Sequence, residues 1–180
     1  MSILTCRLPD SVVCRGERYE VETDFRAWIE FYARARERDI PGMLKIYRRL
    51  PPSLEEALSL AVEFGRKGAL PYGEESRNGR AILDYEADAG LIYAAFMGDY
   101  GIDLCEEKLH WYKFCALLGC LSEERTLSRI MVLRGMDPAA QSDNKRRSEI
   151  RRLQRIYACP DRRTQEERDA DAAAILSKFY

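Results

Sequence analysis

The sequence predicts a mainly α protein: a compact helical domain with a small N-terminal β-hairpin and a charged C-terminal helical extension. Three observations carry that prediction. Apolar residues recur at three-four spacing in several stretches between residues 23 and 131, which is the period of one helical face. Residues 1–22 carry short β-prone runs around a turn. From residue 137 the apolar stripe thins and arginine accumulates. The chain therefore divides into a hairpin over 1–22, a helical core over 23–136 and a basic helical extension over 137–180.

The elements follow in order. Val12-Val13-Cys14, the turn residues Arg15-Gly16-Glu17 and the alternating Arg18-Tyr19-Glu20-Val21-Glu22 predict the hairpin. A lone hairpin is marginal in water, so it must dock on the core. Thr23 or Asp24 caps a helix over 23–38 whose face is Phe25, Trp28, Ile29, Tyr32 and Ala33. Pro41 suits the first turn of a short helix with Met43, Leu44 and Tyr47, which Pro51-Pro52 stops. Ser53 with Glu56 reads as a capping box. In the helix that follows, Leu54, Ala57, Leu58, Ala61 and Val62 form the expected core face, and Leu60 and Phe64 a second apolar row. Gly65-Arg66-Lys67-Gly68 reads as the end of that helix rather than as a nucleic-acid clamp. A loop is expected over 68–80.

Residues 84–100 read as helical, with Tyr85, Ala89, Ile92, Tyr93, Phe96 and Tyr100 on one face. Gly101-Ile102-Asp103-Leu104 turns the chain. Residues 110–137 then read as a core hairpin of two helices. The first carries Trp111, Phe114, Cys115, Leu118 and Leu121. The second is capped by Ser122, has Glu123 and Glu124 in its first turn, bears Leu127, Ile130 and Met131, and ends at Gly135. Asp137-Pro138 is a new helix start. Beyond it the stripe is only Ile150, Leu153 and Tyr157, and Thr164 with Glu167 starts a final short helix. Helices this short are marginal alone, so 138–180 should move until it packs on the core, another subunit or a partner.

Composition excludes little and locates one anomaly. Formal net charge is −1 over 180 residues, so global charge selects neither a nucleic-acid nor a membrane partner. Residues 138–163, however, hold eight Lys or Arg against three Asp or Glu. The six cysteines form no C-x-x-C pair and several sit on apolar helix faces, which suits free thiols in a reducing cytosol. No stretch approaches the ~20 apolar residues of a membrane span, and the N-terminal apolar run is too short for a signal peptide. The expectation is a soluble, intracellular protein.

Candidate chemistry is sparse. Cys105, His110, Cys115 and Cys120 stand five apart, which leaves neighbours roughly 140° apart on a helix and argues against zinc. His110, the single histidine, fits a polar tip at the core rim. There is no G-x-S-x-G, P-loop or dinucleotide fingerprint. No catalytic group, metal or cofactor is expected, and the chain is read as not an enzyme. What remains is binding. Leu60, Phe64, Tyr93 and Phe96 are candidates for an apolar partner groove, and Arg147, Arg151 and Arg155 for a basic contact. The basic helix over 145–155 could also track phosphates, but Glu149 interrupts it and no aromatics are interleaved for stacking.

Three segments in combination carry a resemblance. They are Arg18-Tyr19-Glu20-Val21 running into Thr23-Asp24-Phe25-Arg26; Ile82-Leu83-Asp84-Tyr85-Glu86-Ala87-Asp88 leading to Ile92-Tyr93-Ala94-Ala95-Phe96 and Tyr100-Gly101-Ile102-Asp103-Leu104; and His110-Trp111-Tyr112-Lys113-Phe114 with Ala116-Leu117-Leu118. The chain resembles, over nearly its whole length, the bacteriophage gene-product-fifteen family of long-tailed phages and prophages of Gram-positive bacteria. The resemblance implies a tail assembly chaperone that binds the tape measure protein and recruits tail tube protein. A homo-oligomer is compatible with it; nucleic acid and membrane are not expected as partners. It also implies residence in the host bacterial cytoplasm during assembly and absence from the mature virion. The C-terminal segment would recruit tube subunits or shield the groove until a client arrives. A structural connector or tail-completion protein is the alternative, and a nucleic-acid-binding regulator using the 145–155 helix a second.

Overall fold

The computed structural model describes residues 7–68 and 81–161. The expectations for residues 1–6, for the loop over 69–80 and for the helix after Thr164 lie outside the described residues. Within them the chain is mainly α, with one two-stranded antiparallel hairpin, β1 (Ser11–Cys14) and β2 (Glu17–Glu20). Arg15 and Gly16 both take positive φ, 49° and 86°, the twist a two-residue hairpin turn requires. Val12 faces Tyr19 across the ladder, and with Cys14 they turn inward while Val13 points out. The hairpin docks as expected: Glu22 N–H donates to the Ile46 carbonyl at 2.7 Å, and Arg48 N–H to Glu20 at 3.3 Å.

Helix α1 (Phe25–Arg36) is capped by Asp24, whose carboxylate accepts from Arg26 N–H. Helix α2 (Ile40–Met43) is capped by Asp39, has Pro41 in its first turn and runs into a 3-10 turn over Leu44–Ile46. Helix α3 (Leu54–Gly68) begins after Ser53, whose hydroxyl accepts from Glu56 N–H at 3.5 Å. Only half of the expected capping box forms in this way. The Glu56 carboxylate turns instead to Cys14, which donates at 3.3 Å, and to Arg15 at 3.1 Å, so a tertiary contact to the hairpin replaces the local one.

The expected faces of α3 need correction. Its buried residues are Ala57, Ala61, Phe64, Gly65 and Gly68, while Leu54 and Val62 are 52% and 39% exposed. Phe64 therefore belongs to the core face, with Leu60 packed partly against it. The cause is a steric fit that hydropathy does not encode. A Cβ on Gly65 would stand 2.4 Å from the Tyr32 hydroxyl, and one on Gly68 2.7 Å from Trp111 Cδ1. The missing side chains admit the large rings, so α3 turns its small residues inward.

Helix α4 (Ala89–Tyr100) starts about a turn later than its apolar pattern suggests. Asp84 closes a separate turn first, accepting from Glu86 N–H at 3.0 Å and Ala87 N–H at 2.8 Å. Helix α5 (Trp111–Leu118) is capped by His110, and α6 (Thr126–Gly135) begins four residues after Ser122 rather than at it. Ser122 N–H and the Arg125 guanidinium both bind the Asp99 carboxylate on α4, which holds 122–125 as a turn of its own. The expected core hairpin is also revised: α5 packs mainly on α3 and α1, and α6 on α4 and α7 (Asn144–Ile156). Asp137 and Pro138 start only a 3-10 turn, Pro138–Ala140, and Asp143 caps α7.

The core is an aromatic spine. Phe25 stacks on Phe114 at 4.6 Å between ring centroids, Phe96 on Phe114 at 5.1 Å and Trp28 on Phe64 at 4.9 Å. The indole N–H groups of the fully buried Trp28 and Trp111 donate to the Glu22 and Gly65 carbonyls at 2.8 and 2.9 Å. No buried indole donor is left unpaired.

Candidate functional site

The four apolar groove candidates do not form one surface. Phe64 and Phe96 are core residues in the aromatic spine. Leu60 and Tyr93 are partly buried and packed against that core, and the Tyr93 hydroxyl donates to Asp103 at 3.3 Å. The three basic candidates separate as well. Arg151 and Arg155 are exposed on the outer side of α7. Arg147 folds back and donates to the Gln141 carbonyl at 2.8 Å.

The outward surface that does form lies on α3. Leu54 and Val62 are exposed on the side of α3 away from the core, and Leu58 between them is half-buried and packed partly against it. Beside them runs an open groove of about 640 Å³, lined among the described residues by Leu58, Ser59, Val62, Glu63, Arg66 and Lys67. An apolar floor with charged walls of both signs is the chemistry that accepts an amphipathic helix. The sequence signal was present, since these residues were among those placed inward. The apolar pattern showed two candidate rows on α3 but not that glycine decides which of them turns inward.

A second arrangement was missed from the sequence. Arg134 on α6 and Asp88 at the start of α4 are 7% and 3% exposed. The guanidinium donates to both Asp88 oxygens, at 2.6 and 3.0 Å. It also donates to the Ile82 carbonyl at 3.0 Å and, through Nε, to the Tyr157 carbonyl beyond α7 at 2.6 Å. Asp88 accepts in addition from Asp84 N–H at 3.0 Å, and Arg36 of α1 stands 3.7 Å from the Asp84 carboxylate. Burial works against the Arg134 charge, but hydrogen bonding and the charge of Asp88 outweigh it and raise its pKa. The aspartates of the Asp84-Tyr85-Glu86-Ala87-Asp88 segment are thus structural anchors. Two aspartates four apart, bracketing a buried tyrosine, were the visible hint.

His110 is occupied at both ring nitrogens. His110 Nδ1 accepts from Tyr112 N–H at 3.0 Å, and Nε2 lies 2.9 Å from the Pro9 carbonyl. This pairing needs the neutral ring with its proton on Nε2. Burial lowers the His110 pKa, as does Lys113 more weakly, against the raising effect of Pro9. Burial, and then the neighbouring Glu56, raise the Cys14 pKa, and burial raises that of Cys159. Both are poor nucleophiles. Among the described residues, Cys14, Cys105, Cys115, Cys120 and Cys159 form no disulfide. Among the described residues no helix is long and apolar enough to cross a membrane.

A family model described as bacteriophage Gp15 protein matches residues 4–159. No curated protein and no solved structure matches the chain.

Proposed function

The chain belongs to the bacteriophage Gp15 family, and from that membership we propose that it is a tail assembly chaperone. It holds amphipathic segments of the tape measure protein and brings tail tube subunits to them. It acts in the host cytoplasm and is left behind when the particle is finished. One observation carries the reading: the exposed Leu54 and Val62 on α3, beside an open groove lined by Leu58, Val62 and charged side chains of both signs. A helical client laid there would bury its apolar stripe and keep its polar face in water.

The test is co-expression of the tape measure protein with the wild-type chain, with a Leu54→Glu/Val62→Glu variant, and alone. The wild type should keep the client soluble, and the variant should fail while remaining folded. Equal client solubility in all three arms refutes the reading. Mass spectrometry of purified virions addresses the structural alternative, since a stoichiometric signal from this chain would identify a connector or completion protein.

A further inference from the structure

We propose that the outer face of α3 pairs with the same face of a second copy of this chain, the two helices running antiparallel across a two-fold axis. The inference goes beyond the client-binding reading and does not depend on it. Both halves of the contact lie on this chain. Glu55 and Arg66 are exposed near opposite ends of α3. At about 100° per residue they fall within about 20° of one another around the helix, and at about 1.5 Å per residue they stand about 16 Å apart along it. Neighbouring charges are already taken, Glu56 by Arg15 at 3.1 Å and Glu63 by Lys67 at 2.7 Å. Among the described residues Glu55 and Arg66 make no ion pair.

This layout is self-complementary. A two-fold axis crossing α3 between Leu60 and Ala61 sets each Glu55 opposite Arg66 of the second copy, so one symmetry operation makes two ion pairs. Between those ends lie Ser59, whose small side chain lets the two backbones approach, and Val62, which is 39% exposed. Leu58 flanks them, half-buried, in the groove that Val62 also lines. The crossing therefore buries apolar surface at its centre and joins opposite charges at its rim. Antiparallel pairing also aligns the two helix dipoles favourably. Parallel pairing in register would set Glu55 against Glu55 and Arg66 against Arg66, so the charges select the direction. One helix pair is small beside the roughly 1,200 Å² at which specific interfaces begin. The dimer is thus an exchanging one, its population follows concentration, and its dissociation frees the same face for a client.

The test is sedimentation equilibrium of the full chain over a range of concentrations. No client is present, so its outcome is independent of the co-expression experiment. The wild type should pass from monomer to dimer, and added salt should weaken the dimer. Glu55→Lys and Arg66→Glu each set like charges opposite one another twice. Each should weaken self-association roughly tenfold, the scale of two surface pairs turned from attraction to repulsion. An equimolar mixture of the two variants should restore wild-type association, because every contact then again joins opposite signs. A wild type that stays monomeric throughout overturns the proposal. So does a dimer that salt or the single variants leave intact, or a mixture that associates no better than its components.

Discussion

Replacing Arg134 with Met removes a buried cation and keeps a side chain of similar reach. Asp88 then loses two charge-assisted hydrogen bonds, at 2.6 and 3.0 Å, and retains the Asp84 N–H at 3.0 Å. The Ile82 and Tyr157 carbonyls also lose their donor. Breaking a buried ion pair from one side costs about 3–5 kcal/mol, because the remaining charge is stranded out of water. Domains of this kind hold about 5–15 kcal/mol in total, so the variant should be folded but fragile. Urea unfolding followed by fluorescence of the buried Trp28 and Trp111 measures the loss. An Arg134→Met/Asp88→Leu double variant strands no charge and should recover much of it. The recovery stops short by about 1–3 kcal/mol because Asp84 N–H then lacks an acceptor. A single-variant loss below about 1 kcal/mol, or a double variant weaker than the sum of the two singles, would refute the stranded-charge account, which expects strong coupling between contacting residues.

Trp111→Ala should cost about 3–5 kcal/mol, since the ring is fully buried and its N–H is bonded to Gly65; a midpoint close to wild type in the same titration would place the ring outside the core. Gly90→Ala should stabilise by about 0.4–1 kcal/mol, because a Cβ there meets nothing within 4 Å; a lower melting temperature would contradict that open site. For His110, a pKa lowered from 6.5 in the folded state means the unfolded chain binds the proton more readily. The stability it contributes is present above pH 6.5 and is lost as pH falls from there through the lowered value. Stability measured against pH should therefore slope more steeply below 6.5 in the wild type than in His110→Asn, whose side chain can still cap α5; coincident slopes would dismiss the neutral-cap reading.

Much of the fold was legible along the chain because its signals are local. Asp24, Asp39 and Ser53 bond the N–H groups at the starts of their own helices, and such caps act within three residues. Arg15-Gly16 sets the hairpin turn in the same way. The misses share the opposite character. Asp88 opens α4 without capping it, because its carboxylate is taken by Arg134, 46 residues away. Ser122 does not begin α6, because Asp99 on another helix holds the Ser122 amide. Glu56 abandons its capping box for Arg15 and Cys14, 41 and 42 residues away. In each case one polar group had a local and a distant partner, and a charge-assisted or partly buried contact prevailed over an exposed one.

The candidate site divides along the same line. Apolar periodicity established that α3 carries more hydrophobic surface than one face requires. It could not say which face turns outward. Gly65 and Gly68 decide that for α3, because only their bare backbone lets the Tyr32, Trp28 and Trp111 rings close over the helix. The sequence by itself determined the mainly α class, the hairpin and most helix starts, since capping, turn chemistry and apolar period are properties of neighbouring residues. The tertiary structure alone decided that Leu54 and Val62 face solvent while Phe64 and Phe96 do not, and that Arg134 ties α6 to α4 and to the end of α7. Close packing and buried charge pairing depend on what distant segments bring to the same place, and apolar periodicity carries no record of that.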